Sequence, residues 1–163
     1  MANRAYDSIA EGLAFDAAIN CFEVRNPAGS GKLLWIIGFD FVAEVGFTEW
    51  LFKRYTGAAT TGGTATAVVT HKADTNDADS VMLIYSATAL GDIDVSGLGA
   101  PTYEKHVVLD PSDAGDDSEW IPGKYYASDF KLIVRPGETF VVTSPAVVAA
   151  DYDIGVRFIE MDP

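Results

Sequence analysis

The chain has 163 residues, of which 48% are apolar and 12% aromatic, so it is long enough for one domain and can bury a sizeable core. Twenty-four acidic and eleven basic residues give a formal net charge of −13, and the sequence contains no cluster of basic residues. Such a surface repels nucleic acid and anionic lipid, so neither nucleic acid nor a membrane is predicted as a partner. The N-terminus lacks the apolar core of a signal peptide, and no apolar run approaches the ~20 residues of a membrane span.

Residues 1–18 differ in pattern from the rest of the chain. Ser8 and Glu11 have the spacing of a helix capping box, whereas Gly12 weakens a helix. Two interpretations are open: an arm that orders only against a partner, and a tail packed on the protein's own sheet. We carry the arm forward as a hypothesis, with the body of the protein in residues 19–163. The apolar side chains that such an arm would bury on a partner are Ile9, Leu13 and Phe15.

The stretch from Asn20 to Tyr55 is predicted to form the centre of the fold. It contains two long runs rich in aromatic and branched residues, which is typical of antiparallel strands. Alternate side chains of a strand share a face, so the first long run predicts one inner face. Its expected members are Leu33, Trp35, Ile37, Phe39 and Phe41.

Further strand patterns follow along the rest of the chain, separated by turn signals. They include the hairpin around Pro136-Gly137, which predicts a type II turn, and the alternating run from Asp153 to Glu160. Eight or nine strands with no helix pattern in the body predict an all-β fold, an antiparallel two-sheet sandwich with jelly-roll topology. An immunoglobulin-like sandwich is the alternative, although seven short strands would leave the long loops unexplained.

No motif in the sequence predicts catalysis or a cofactor. The run Gly29-Ser30-Gly31-Lys32 lacks the first glycine and the Ser/Thr after the lysine of a phosphate-binding loop, so it predicts a tight turn with positive φ at both glycines. His71 and His106 have no metal-ligand spacing, and no nucleophile-elbow motif occurs. The single cysteine, Cys21, is predicted to be a buried apolar side chain. We therefore predict that the protein is not an enzyme.

Acidic loops are the remaining candidates for a site. One cluster comprises Asp74, Asp77 and Asp79, and a second runs from Asp110 to Glu119. Neither has the spacing of a calcium-binding loop, so solvated charge is the preferred interpretation. Weaker candidates for paired carboxylates or a sugar platform are Asp92, Asp94, Asp151, Asp153, Trp35, Trp50 and Trp120.

Three turns carry a resemblance to a known group of proteins. They are the turn from Asn26 to Lys32 that leads into an aromatic-aliphatic strand, the Gly- and Thr-rich hairpin at 57–64, and the hairpin Arg135-Pro136-Gly137-Glu138-Thr139-Phe140-Val141-Val142. In these features the chain resembles small β-rich virion proteins of tailed bacteriophages, in particular capsid decoration (cement) proteins and head-fibre proteins.

The resemblance implies a structural role without catalytic residues. It implies a jelly roll that binds the major capsid protein on the outside of the capsid, stabilises the shell and associates as a homotrimer. The expected location is the capsid surface of the virion, after synthesis in the host cytoplasm. The alternative is a carbohydrate-binding or receptor-binding sandwich module of a head fibre or tail.

Overall fold

The chain folds almost entirely into β-strands. The computed structural model describes residues 3–14, 18–43, 48–109, 123–126, 132–144 and 151–163, and within these ranges the only helical element is the 3₁₀ turn Ser96–Leu98. In the same ranges no helix is both long and apolar enough to cross a membrane. The strands are β1 Arg4–Ala14, β2 Asn20–Arg25, β3 Leu33–Ala43, β4 Thr48–Thr56, β5 Thr60–Thr61, β6 Thr66–Ala67, β7 Thr70–Lys72, β8 Leu83–Ser86, β9 Ile93–Asp94, β10 Tyr103–Leu109, β11 Gly123–Tyr126, β12 Leu132–Val134, β13 Glu138–Thr143 and β14 Asp151–Met161.

The long strands form two antiparallel sheets that pack face to face. Sheet A has the order β11–β3–β14–β1–β7, and β12 also pairs with β3. Sheet B has the order β10–β4–β13–β2–β8–β6, and β5 and β9 form a separate pair. The predicted all-β class and antiparallel two-sheet sandwich are confirmed, whereas the jelly-roll topology stays a prediction.

Aromatic side chains join the two sheets. The ring centroid of Phe39 on β3 lies 4.8 Å from that of Phe52 on β4 and 5.4 Å from that of Phe140 on β13. Phe41 lies 4.8 Å from Trp50 by the same measure. All five side chains are buried. Removal of this apolar surface from water stabilises the fold, and each tilted ring pair adds roughly 0.5–1.5 kcal/mol.

The prediction of the inner face of β3 is confirmed only for the second half of the strand. Phe39 and Phe41 are buried between the sheets, as expected. The other three predicted members lie on the opposite, outer face of sheet A. Two of these, Leu33 and Trp35, are half-buried, and the third, Ile37, is 37% exposed.

A β-bulge at Ile37 explains the difference. Arg157 of β14 pairs with Gly38, whereas the next residue, Phe158, pairs with Ile36, so Ile37 is an extra residue on β3. One extra residue exchanges the two faces of a strand, because the side-chain period is two. The residues buried before the bulge are Leu34 and Ile36.

The segment predicted as an arm, residues 1–18, forms a strand of sheet A over most of its described length. β1 pairs with β14 from Arg4 to Ala14, and β7 pairs with its other edge. This corresponds to the second interpretation of the segment, a tail packed on its own sheet. The structure therefore corrects the arm hypothesis for Arg4–Ala14, which is part of the sandwich.

A second β-bulge explains why the strand pattern of β1 is hidden in the sequence. Ala10 and Leu13, three residues apart, pair with residues of β14 that are only two apart. Gly12 adopts φ +64°, a backbone conformation that favours glycine, and its N–H donates to the Asp153 carboxylate at 2.8 Å. The side chains of β1 that face the core are therefore every second residue up to Ala10, and the next one is three residues further on. They are Tyr6, Ser8, Ala10 and Leu13.

The chain between β4 and β10 forms an insertion, residues 57–102, that covers sheet B. It adds β7 to the edge of sheet A, and β8 and β6 to the edge of sheet B. Ala59 and Ile93 of the insertion form a second buried apolar cluster with Tyr55 and Val141 on the outer face of sheet B. The insertion therefore covers the part of the outer face of sheet B around Tyr55 and Val141.

The bulge at Ile37 leads to a test of the two faces of β3. We expect Phe39→Ala to lower the free energy of unfolding by about 3–5 kcal/mol, because it removes a buried aromatic side chain. Trp35→Ala deletes more atoms but should have a smaller effect, because the indole is only half-buried. Urea unfolding of both variants measures the difference, and an equal or larger loss for Trp35→Ala would contradict the assigned inner face.

Candidate interaction surface

The structure separates the three residues predicted to contact a partner. Ile9 lies on the outer face of sheet A and is 41% exposed. Leu13 is buried in the core between the sheets, so its side chain is not available to a partner. Phe15 lies outside the described residues. Of the three, Ile9 is the residue that the structure leaves on the surface.

An apolar patch crosses four strands on the outer face of sheet A. Its central row runs through directly paired positions of β1, β14, β3 and β12. Along β3 the patch extends through the bulge residue Ile37, which is exposed, whereas the other members are half-buried. We define the outer apolar patch as the side chains of Ala5, Leu33, Trp35, Ile37, Ile133, Ile159 and Met161.

Charges along the border of this patch are largely compensated by ion pairs. Arg157 forms two hydrogen bonds with Asp40, from Nη2 to Oδ1 at 2.7 Å and from Nε to Oδ2 at 3.0 Å. Asp7 occupies the position directly paired with Arg157 on the neighbouring strand. At the other border, the Lys32 ammonium binds the Asp162 carboxylate, which lowers the pKa of that carboxyl. The patch therefore lies between two ion pairs.

The three turns that carry the resemblance meet at one end of the sandwich. The Asn26 N–H donates to the carbonyl of Glu138 at 3.0 Å, and the Gly137 N–H donates to the carbonyl of Asn26 at 2.8 Å. The Gly57 N–H donates in turn to the carbonyl of Gly137 at 2.7 Å. Gly137 has φ +82°, and the Glu138 N–H donates to the Arg135 carbonyl at 2.9 Å, which confirms the predicted Pro-Gly turn.

The turn from Asn26 to Lys32 is closed by its own side chains. Buried Asn26 donates from Nδ2 to the Lys32 carbonyl at 2.9 Å, and Ser30 Oγ donates to Asn26 Oδ1 at 2.5 Å. Gly31 has the predicted positive φ, 61°, whereas the same prediction for Gly29 is wrong. These two side-chain hydrogen bonds lie within the turn, which matches the tight-turn interpretation, and Asn26 Nδ2 also donates to the Val134 carbonyl at 2.8 Å.

A buried ion pair fastens the insertion to sheet B. Glu23 is fully buried and receives two hydrogen bonds of 2.9 Å from Arg25 and one of 2.5 Å from Thr139 Oγ1. The Arg25 guanidinium also donates to the Ala59 carbonyl of the insertion at 2.6 Å and lies 5.2 Å from the centroid of the Tyr85 ring. This network links β2, β13 and the insertion, and the sequence analysis missed it.

Glu160 forms a second attachment point that the sequence analysis missed. It is 2% exposed, and its Oε1 accepts hydrogen bonds from Ser80 Oγ at 2.5 Å and from the Val81 N–H at 2.9 Å. These two donors belong to the insertion, whereas Glu160 belongs to β14. Both buried glutamates therefore hold the insertion on the sandwich.

The first acidic cluster is bound to basic residues of the same region. Asp77 Oδ1 lies 3.7 Å from Arg4 Nε, and Asp79 Oδ1 lies 3.2 Å from Lys72 Nζ. Asp74 accepts the N–H of the residue two positions along, at 2.9 Å, which stabilises a turn. Each carboxylate thus has a different partner, in agreement with a charged surface loop.

Other candidate residues are not brought together within the described part of the chain. His71 on β7 and His106 on β10 are exposed and belong to different sheets. No group of three or more His, Cys, Asp and Glu side chains is placed to hold a metal ion in these ranges. The acidic cluster from Asp110 to Glu119 lies outside them.

The tryptophans do not form a platform within the described residues. Trp50 is buried in the core, Trp35 lies in the outer apolar patch, and Trp120 is outside the described ranges. Cys21 is buried, as predicted, and burial raises the pKa of its thiol. A buried protonated thiol is a poor nucleophile.

Comparison with protein-family models, with curated proteins and with solved structures finds no match for this chain. The evidence for function therefore lies in the residues themselves and in the resemblance of the three turns.

The buried ion pair gives a sharp stability prediction. We expect Glu23→Gln to lower the free energy of unfolding by about 3 kcal/mol or more, because Arg25 would keep its charge in a mostly buried place without a carboxylate. The matched control is Asp40→Asn, which breaks the more exposed pair with Arg157 and should change stability by at most about 1 kcal/mol. Urea unfolding compares the two, and similar losses would contradict the structural role of Glu23.

The local stability of the insertion around Thr64 should depend on pH through the carboxyl of Asp92. Hydrogen bonds from the Thr64 hydroxyl and amide lower the pKa of this carboxyl below its ordinary value of 3.8. A lowered folded-state pKa gives stability that is present above the unfolded pKa and is lost as the pH falls through the folded one. We expect amide exchange at Thr64 to accelerate below about pH 4 relative to its intrinsic rate, and this pH effect to be absent in Asp92→Asn. Unchanged pH dependence in that variant would contradict the assignment.

Proposed function

We propose that this chain is a structural protein of a tailed-bacteriophage virion. In this role it binds the major capsid protein on the outside of the capsid and stabilises the shell, as a decoration protein. One observation carries the proposal: the three turns that resemble parts of virion proteins lie together at one end of the sandwich. Backbone hydrogen bonds there link Asn26, Gly137 and Gly57. Features that resemble virion proteins in sequence thus belong to one structural unit, although they are far apart in the chain.

The order of the strands supports the jelly-roll interpretation. Along the chain, β1, β3, β12 and β14 belong to sheet A, whereas β2, β4, β10 and β13 belong to sheet B. Their neighbour orders are β1–β14–β3–β12 and β2–β13–β4–β10, so successive strands of this set alternate between the sheets except at β4 and β10, which pair within sheet B. This alternation is what two interleaved Greek keys require, and viral capsid domains are among the proteins built in this way.

Attachment to the capsid is proposed through the outer surface of β1 instead of an ordered arm. Ile9 is exposed there between Asp7 and Glu11, whose side chains are also exposed. An apolar side chain flanked by carboxylates fits a capsid surface that offers an apolar contact among basic groups. Since most of the segment from Arg4 to Ala14 is already paired, binding would not carry the entropy cost of ordering an arm.

The proposed role includes no catalysis. The two buried carboxylates of the described chain, Glu23 and Glu160, accept hydrogen bonds from the protein itself and lie under the insertion. Self-association as a homotrimer belongs to the same proposal, since copies of one chain usually form closed rings.

The experiment is co-sedimentation of the purified protein with capsids assembled without it. We expect wild-type protein to sediment with the capsids and Ile9→Asp to bind at least about tenfold more weakly, because a charge replaces the apolar contact. The control is Leu90→Asp, which introduces the same charge at an exposed position of the insertion. Mass spectrometry of purified virions tests independently whether the protein is a virion component.

Three outcomes would contradict this proposal in different ways. Absence of the protein from virions would overturn the function as a whole. Equal binding by Ile9→Asp and wild type would overturn β1 as the attachment surface. Specific binding to a bacterial polysaccharide, without affinity for capsids, would favour the carbohydrate-binding alternative.

A further inference from the structure

We propose that a second copy of this chain packs on the outer apolar patch. The inference rests on self-association, which the proposed function includes, and names a surface for it. Because the same patch on both copies makes a two-fold contact, the oligomer inferred here is a dimer and not the homotrimer. That surface is separate from Ile9, because the ion pair between Arg157 and Asp40 lies between the two along the strands of sheet A.

The composition of the patch is that of a protein interface. Directly paired positions on four neighbouring strands carry Ala5, Ile159, Trp35 and Ile133, and Ile37 stands exposed beside them. Tryptophan is enriched among residues that dominate binding energy, and charged residues are depleted at interface centres. None of the patch side chains is charged.

Charge identifies a second copy as the occupant. Two chains with a net charge of −13 repel each other, so they can approach most easily where their own charges are already neutralised. At the patch, Arg157 neutralises Asp40 and Lys32 neutralises Asp162. A basic partner would instead be recognised by carboxylates without internal partners, and these two carboxylates are engaged. The patch therefore favours an apolar partner surface that is itself neutral, and the same patch on another copy meets this condition.

The size of the patch indicates weak association. Four strands spaced about 4.8 Å apart and five residues along β3 give a face of roughly 300 Å². A standard stable interface buries about 800 Å² on each partner, so the patch would be the centre of a contact whose rim includes the bordering ion pairs. We expect a dissociation constant in the micromolar range, with the oligomer dominant at the high local concentration of an assembled shell.

Salt distinguishes self-association from binding of a basic partner. Added salt screens the repulsion between two acidic chains and leaves the apolar contact intact. Self-association through the patch should therefore strengthen between low and physiological ionic strength. A contact dominated by opposite charges would weaken over the same range.

Sedimentation velocity of the full chain tests the proposal. Over about 1 to 500 μM, a range chosen to bracket micromolar dissociation constants, wild-type protein should shift from monomer to oligomer. Ile37→Asp should remain monomeric, or associate at least tenfold more weakly, because two charges would be buried in each symmetric contact. Leu90→Asp adds the same charge outside the patch and should behave like wild type. Circular dichroism confirms that each variant is folded.

A labelling experiment tests the same contact without depending on the folding of Ile37→Asp. In the variant Ile37→Cys the new thiol lies in the patch, whereas Cys21 is buried. Its rate of maleimide labelling should fall several-fold as unlabelled wild-type protein is added, if copies cover the patch. An unchanged labelling rate at concentrations where the wild type is oligomeric would overturn the patch as the contact.

The remaining outcomes separate this inference from the proposed function. A wild-type chain that stays monomeric up to the highest concentration, at physiological salt, would overturn the inference, even if it co-sediments with capsids. Oligomers that persist in Ile37→Asp would overturn the named surface and leave self-association standing. Loss of association with added salt would overturn the charge argument.

Discussion

The packing of the aromatic side chains between the sheets is the interaction on which the rest of the structure depends. Phe39 and Phe41 of sheet A meet Phe52, Phe140 and Trp50 of sheet B at centroid distances of 4.8 to 5.8 Å. These rings come from β3 and β4, which are neighbours in the chain, and from the distant β13, so the contact fixes the arrangement of both sheets at once. Neither sheet could bury its apolar face without the other.

The insertion depends on this sandwich and is attached to it in two different ways. Its apolar side chains, including Ile93, cover Tyr55 and Val141 of sheet B. Its backbone is fixed by carboxylates of the sandwich, Glu23 through Arg25 and Glu160 directly. Burial of a carboxylate is unfavourable unless it is hydrogen-bonded. Glu160 receives its hydrogen bonds from the insertion itself, whereas Glu23 is paired with Arg25, which donates to the Ala59 carbonyl of the insertion. The insertion and the buried charges therefore stabilise each other.

The features that the sequence predicted well are those set by local pattern. Alternation and turn chemistry identified the strands, the two-sheet sandwich and the turn at Gly137, because the residues responsible are neighbours in the chain. Burial of Cys21 followed from its position in an apolar strand.

The errors arise where pairing with a distant strand decides the conformation. Ile37 becomes a bulge only because β14 has one residue fewer opposite it, and the neighbouring Gly38 is the local signal that marks the exchange of faces. At Gly12 a signal was present: glycine interrupts a pattern in which Tyr6, Ser8 and Ala10 already alternate, and glycine inside a strand often marks a bulge. The opposite charges of Glu23 and Arg25, two residues apart and hence on one face of a strand, were a similar signal of a buried pair.

The composition of β3 connects the fold with the proposed assembly. A strand that is apolar on both faces is typical of a sheet that is covered on both sides. Sheet B has such a cover around Tyr55 and Val141, because the insertion packs on that part of its outer face. β3 lies in sheet A, where Leu33, Trp35 and Ile37 form part of an outer face that remains partly exposed. An alternating pattern with polar residues at these positions would serve the isolated sandwich equally well, since the core uses the opposite face. In the proposed assembly a second copy covers sheet A as the insertion covers sheet B, and the apolar outer face of β3 then has a physical role.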